Sequence, residues 1–320
     1  KHDTRSESLY LPEEEFVGVA HDSTVRENED EKAPWGPYLP ERIAVEGTYN
    51  IRDLGVYTAA DGTPLRRGVF FRGDNLGWLG ETGRRQVRAL GVRSVIDLRA
   101  SDELERSPNA FRPSPAGNGD GTGAGEVAGA GRELSQEPRY FHYNVVGDTL
   151  PVFSEGDTLR AQQLEERLSD GRFRYPVERL VLIYTSILEN RGEQLRSVLS
   201  TLAEPAYRPA LYHCVAGQDR TGLVSAILLS LAEVSEEVIV ADYTATAAHN
   251  IVRFLEEKAA GQHRLPLETS HDYAEQLCPP DAMRGTLGHL NEVYGSVEDY
   301  LEYIGLSHAE HASLRDALRG

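Results

Sequence analysis

Cysteine occurs twice in the 320 residues, and one copy sits where chemistry could use it. In "LYHCVAGQDRTGLVSAILLSL" (211–231), Cys214 ends an apolar run, Arg220 follows after five residues, and a helical apolar pattern starts at once. The order is strand, tight turn, helix. Such a turn gathers successive backbone N–H groups around a small concavity, and the helix N-terminus aims its partial positive charge at the same place; both favour a dianion such as phosphate. Arg220 adds a planar fork that matches two phosphate oxygens. Gly217 allows backbone angles that a side chain disfavours. The same donors favour a thiolate at Cys214, placed for in-line attack on phosphorus. The plain alternative is an inert buried cysteine, and the joint presence of His213, Gly217, Arg220 and Thr221 in this context argues against it.

The elements around the turn read as an α/β domain. "GVFFRG" (68–73), "VRSVIDLR" (92–99), "RYFHYNVV" (139–146) and "PALYHC" (209–214) are short apolar strands. "GETGRRQVRALG" between the first two reads as a helix that stops at Gly91. Val177, Leu180, Val181, Tyr184, Ile187 and Leu188 share one helical face, as do Leu195, Val198, Leu199 and Leu202. After the Cys turn, Leu223, Val224, Ile227, Leu228 and Leu231 form another. The last eighty residues read as helices, with Ser296 and Ser307 as N-caps. The expectation is a short, mostly parallel central sheet flanked by helices, with a helical lid or C-terminal part at about 244–305. Residues 1–42 read as an acidic extension and 43–320 as the domain. The Gly/Ala-rich stretch 112–132 reads as a flexible insertion, since strand pattern resumes after it.

Composition narrows the partners. A formal net charge of −18 disfavours nucleic acid and anionic membrane surfaces. Lysine occurs only at 1, 32 and 258, so arginine must supply any phosphate site. No apolar run is long enough to span a bilayer. Two cysteines make no disulfide framework and fit a reducing compartment, the cytoplasm. No Cys/His cluster shows zinc-ligand spacing, and neither a metal nor a cofactor is expected.

"HCVAGQDRT" resembles the His-Cys-five-residues-Arg-Thr/Ser signature of the cysteine-dependent protein tyrosine phosphatase superfamily. "YNIRDLGVYTAADGTPLRRGVFFRGDNL", "VRSVIDLR", "EVIVADY" and "YGSVEDYLEYIGLSHAEHASLRDAL" extend the likeness to its bacterial branch with a Cys-X-X-Gly-Lys-Asp-Arg loop, over about residues 43–319. The resemblance implies that fold and a phosphate monoester hydrolase acting through a phosphocysteine. It implies Cys214 as nucleophile and Arg220 as the phosphate and transition-state ligand. Val215, Ala216, Gly217, Gln218 and Asp219 would supply loop amides. Thr221 would help the sulfur leave, and His213 would tune the thiolate.

The general acid stays open at this stage. The branch points to Asp219, with Asp97 in "IDLR" and Asp74 in "FRGDN" as competitors. Arg52 and Asp53 in "NIRDLG" are read as an ion pair that buttresses the loop. Gln218 stands where the branch usually has Lys. Read as a rim position, it removes a cation and favours monophosphate esters, of phosphotyrosine or a small metabolite, over multiply phosphorylated lipids. Two rivals remain: a dedicated phosphatase for a sugar or nucleoside phosphate, and a phosphate-binding module without turnover.

Overall fold

A computed structural model describes residues 33–36, 39–113, 137–147, 176–262 and 265–320. Most of the acidic extension and all but the first two residues of the Gly/Ala-rich insertion lie outside the described residues.

Five short strands form one sheet: β1 (Arg52–Asp53), β2 (Phe70–Gly73), β3 (Ser94–Asp97), β4 (Arg139–His142) and β5 (Ala210–His213). Their order is β1-β2-β5-β3-β4; β1 runs antiparallel to β2, and the other neighbours are parallel. The strand carrying the Cys turn is therefore central, between strands more than 100 residues earlier in the chain. Alternation sends side chains to two cores. Phe70, Ile96, Ala210 and Tyr212 join the larger one, whereas Phe71, Val95 and Leu211 join a smaller one with Val87. Both faces are covered, which is why these strands read as continuous apolar runs.

Helix α1 (Glu81–Ala89) covers the smaller core through Val87, and α2 (Ser101–Arg106) follows β3. The larger core is built by α3 (Val177–Asn190), α4 (Gly192–Ala203), α5 (Asp219–Leu231), α6 (Glu236–Thr244), α7 (Thr246–Ala259), α8 (Ser270–Leu277), α9 (Pro280–Tyr294), α10 (Val297–Tyr303) and α11 (His308–Arg319). This is the expected mixed α/β architecture. Ser296 and Ser307 cap α10 and α11, their hydroxyls accepting from Asp299 N and Glu310 N. Helix α5 departs from its expected single apolar face. It is enclosed all round, and even Ser225 is buried, its hydroxyl bonded to Tyr212 Oη at 2.8 Å. A helix at the centre of a layered domain has no solvent side to keep polar. Among the described residues no helix is long and apolar enough to cross a membrane.

Candidate active site

Strand register aligns Gly73 and Asp97 with His213, so β2, β3 and β5 end at one edge of the sheet. Ligands of open α/β sheets bind at such carboxyl edges. There the chain leaves β5 through Cys214, which is 1% exposed and unpaired, and enters α5 at Asp219. Each intervening carbonyl is held from outside. Cys214 O takes His213 Nδ1 at 3.0 Å, and Val215 O accepts from Asn75 N at 3.0 Å. Ala216 O accepts from Asn50 and Asn250 side-chain amides at 2.9 and 2.8 Å, and Gly217 O from Arg72 Nη2 at 2.7 Å. Within each peptide plane N–H opposes C=O, so outward carbonyls turn the N–H groups of 215–218 inward. Those four groups have no acceptor among the described residues. Gly217 is required twice over. Its φ is +65°, and a Cβ would stand 2.7 Å from Gly73 O.

Arg220, on the first turn of α5, is gripped by Glu103 from α2. Nη1 pairs with Oε2, and Nη2 donates to Oε1 at 3.0 Å. This uses the end of the guanidinium and leaves the Nε edge for a second bidentate partner. Burial opposes the Arg220 cation, but the Cys214 sulfur and the Glu103 carboxylate outweigh it and hold its pKa above the ordinary value. Glu103 Oε2 also accepts from Ala100 N at 2.8 Å, so the start of α2 fixes the carboxylate that fixes the arginine.

His213 is fully buried, and burial lowers its pKa. The Asn109 amide faces its Nε2 at 2.7 Å and Asp97 at 3.0 Å, while Asn109 Oδ1 accepts from Phe111 N. That last bond orients the amide, so Asn109 donates to Nε2, and Nδ1 carries the proton given to Cys214 O. Both ring nitrogens are thus engaged away from the sulfur. Thr221 Oγ1 is buried without a partner among the described residues, two positions before Leu223 joins the core.

A sequence profile described as the tyrosine phosphatase family matches residues 43–320. The chain belongs to the tyrosine phosphatase family. The triple specificity protein phosphatase PtpB of Mycobacterium tuberculosis is 28% identical over 299 residues, covering 86% of this chain and 98% of that protein. A tyrosine-protein phosphatase of Nostoc commune is 26% identical over 263 residues, covering 80% and 76%. The protein is a phosphoric monoester hydrolase, and neither rival reading is favoured by its relatives.

Three carboxylates competed for the acid role in this phosphatase. Asp97 is 0% exposed; burial opposes its charge, but its donors, the Arg99 guanidinium and the Asn109 amide among them, outweigh burial and keep it well below the usual carboxylate range. It is a fixed anion behind His213. Asp74 is equally buried, and its oxygens accept Tyr49 N and Asn50 N at 2.9 and 3.1 Å, which pins the turn that carries Asn50. Asp219 alone of the three is partly exposed. Its Oδ1 takes Tyr184 Oη at 2.5 Å and Gln218 Nε2 at 3.2 Å, and its Oδ2 has no partner among the described residues.

Two sequence expectations need correction. Arg52 and Asp53 do not pair with each other, because consecutive strand residues point to opposite faces. Arg52 Nε reaches Asp242 at 3.1 Å, whereas Asp53 accepts from Gly55 N and Gly68 N at 2.8 and 2.7 Å. Gln218 is not a rim residue. It is 6% exposed; its Nε2 donates to Leu277 O at 2.6 Å and its Oε1 accepts from Tyr273 Oη at 3.2 Å. It ties the loop to α8, so the argument from a missing rim cation falls. A lysine there would meet Leu277 O and Asp219 rather than substrate. Gln218→Lys is therefore expected to change activity on phosphotyrosine and on a phosphoinositide together, leaving the ratio of kcat/KM within about threefold of wild type. Parallel kinetics at one ionic strength check this, and a ratio shifted more than tenfold toward the lipid would restore the rim reading.

Several supporting residues escaped the sequence reading. Asp242 on α6 binds Arg52, Arg72 and, at 2.9 Å, Tyr57 Oη. Burial opposes its charge, and the two arginines overcome burial and lower its pKa. Two buried cations on one anion leave a net positive charge behind the loop, whose Gly217 carbonyl Arg72 also holds. Asn50, Asn109, Asn250 and Glu103 were likewise unassigned.

Proposed function

We propose that this phosphatase removes phosphate from protein side chains, phosphotyrosine first, through a phosphocysteine on Cys214 and without a metal. The observation that carries the reading is the loop: with every carbonyl from 214 to 217 tied outward, four N–H groups, the start of α5 and the free edge of Arg220 converge above one sulfur. Phosphate bound there presents phosphorus to the thiolate, and the ester oxygen departs on the opposite side. Asp219 donates the proton to that oxygen from Oδ2, held by Tyr184 and Gln218 on Oδ1. Asp219 then takes a proton from water as water attacks the phosphocysteine, and the Thr221 hydroxyl steadies the departing sulfur. The names of the relatives support a phosphoprotein substrate. A cavity of about 190 Å³, lined by Gly47, Tyr49, Trp78, Arg253, Glu256 and Glu257, connects to the loop through Arg253. It gives room for the residues that flank a phosphotyrosine. Arg253 spans the two, stacked 4.9 Å over Trp78 with Nη1 3.5 Å from Val215 O. The domain limits stay as read from the sequence, with 43–320 as the catalytic unit and the cytoplasm as its compartment.

The test compares leaving groups with a chelator present throughout. Proton donation matters for a tyrosyl oxygen and little for nitrophenolate, which leaves as a stable anion. Asp219→Asn should lower kcat on a phosphotyrosyl peptide by ~10²–10³-fold and on nitrophenyl phosphate by less than about tenfold. Equal losses on both, or none, would take the acid role from Asp219. Dependence of wild-type turnover on added metal would end the metal-free reading.

A further inference from the structure

The corner between α10 and α11 gathers ligands that the phosphatase chemistry does not use. Gly305, at φ +86°, reverses the chain after α10, and Ser307 restarts it as the N-cap of α11. The reversal folds Glu302 back against His308 and His311, which stand one turn apart on one face of α11. One oxygen of Glu302 and one nitrogen of each imidazole lie within 4.8 Å of one another. His308 Nδ1 is 3.4 Å from Glu302 Oε1, and the two imidazole centroids are 6.0 Å apart at 76°.

A second observation points to a ligand. His311 is 8% exposed, and its Nε2 is buried without a hydrogen-bond partner among the described residues. A buried ring nitrogen left unpaired is costly, and a cation beside it would make use of the lone pair. Two imidazoles and a carboxylate suit a borderline divalent ion such as zinc, whereas magnesium and calcium prefer oxygen throughout. Tetrahedral ligation at about 2.0–2.1 Å needs donors ~3.4 Å apart, so the widest pair in the cluster must close by up to about 1.4 Å. The exposed side chains of Glu302 and His308 are free to supply that movement. The sequence scan missed the set because His308 and His311 form a bare H-x-x-H, and the third ligand belongs to the preceding helix.

We propose that Glu302, His308 and His311 form a binding site for a zinc-type divalent ion, with water in the fourth position, that staples α10 to α11. The staple would act on stability, since α11 packs against α4 and α5 and its Leu318 O accepts from Arg66 N at 2.6 Å. Binding to the folded chain raises the melting temperature by mass action.

The experiment titrates the full chain with Co²⁺ and then Zn²⁺, in a Cys214→Ser background so that the loop thiol does not compete for metal. The expected result is visible absorption bands from one bound Co²⁺, displaced by Zn²⁺, together with a rise in melting temperature on Zn²⁺ addition. His308→Asn, an exposed change that leaves the fold intact, should weaken binding at least tenfold (roughly the loss of one of three ligands) and abolish the rise. His271→Asn, which removes an exposed histidine beside Glu275 on α8, should change neither. No Co²⁺ bands, or bands that survive His308→Asn, would overturn the proposal.

Discussion

Cys214→Ser should stop turnover altogether, by at least ~10⁴-fold in kcat, while the loop goes on binding oxyanions. A hydroxyl in place of the thiolate needs a base to take its proton, and the neighbouring imidazole does not serve as one. The imidazole next to it in the chain is that of His213. Its Nδ1 gives its proton to Cys214 O, and its Nε2 accepts from Asn109, so neither nitrogen is free for Oγ. Binding should persist because nothing that shapes the loop passes through the sulfur. The carbonyls of 215–217 are held by Asn75, Asn50, Asn250 and Arg72. Calorimetric binding of vanadate or phosphate, beside rate measurements on an aryl phosphate, checks both halves. Turnover within tenfold of wild type would exclude a covalent cysteine route. A variant that also lost anion binding would show the sulfur to be part of the cradle rather than its target.

That division between target and cradle marks how far the sequence could be read. Cys214 to Thr221 are contiguous, and their spacing carries its meaning without the rest of the chain. The strands were legible because burial on both faces leaves apolar stretches such as "VFF" and "VI" bounded by turn residues. The loop's supports were not legible. Asn50 and Asn250 meet on one carbonyl from 200 residues apart, and only the sheet order and the path of α7 bring them together. Asp242 lay within a segment quoted for its likeness, yet its two arginines sit on β1 and β2, and no local pattern links them. The Arg52–Asp53 pairing failed for a reason the sequence did contain, since neighbours on a strand cannot share a face. Gln218 failed for a reason it did not contain: as the N-cap of α5 its side chain turns toward α8, and the position of α8 is a tertiary fact.

Arg220→Lys is the sharpest test of how the cradle treats the transition state. The guanidinium performs two tasks at once. Its end is locked to Glu103 on α2, which leaves its Nε edge to offer two parallel donors to phosphate in the proposed reading. A lysine ammonium keeps the charge but offers one point on a flexible stem, so it satisfies Glu103 or the phosphate and never both in fixed geometry. Charge on the equatorial oxygens is held most tightly as phosphorus becomes five-coordinate, so the loss should fall on the transition state more than on the ground state. The expected result is a drop in kcat of ~10²–10³-fold or more, comparable with deleting a preorganised oxyanion donor, with a much smaller rise in KM. Vanadate, which imitates the five-coordinate state, should lose more affinity than phosphate in the same variant. Equal losses for the two anions would mean that Arg220 only attracts phosphate. A rate within threefold of wild type would mean that the lock between Glu103 and Arg220 holds the fold of α2 and takes no part in catalysis.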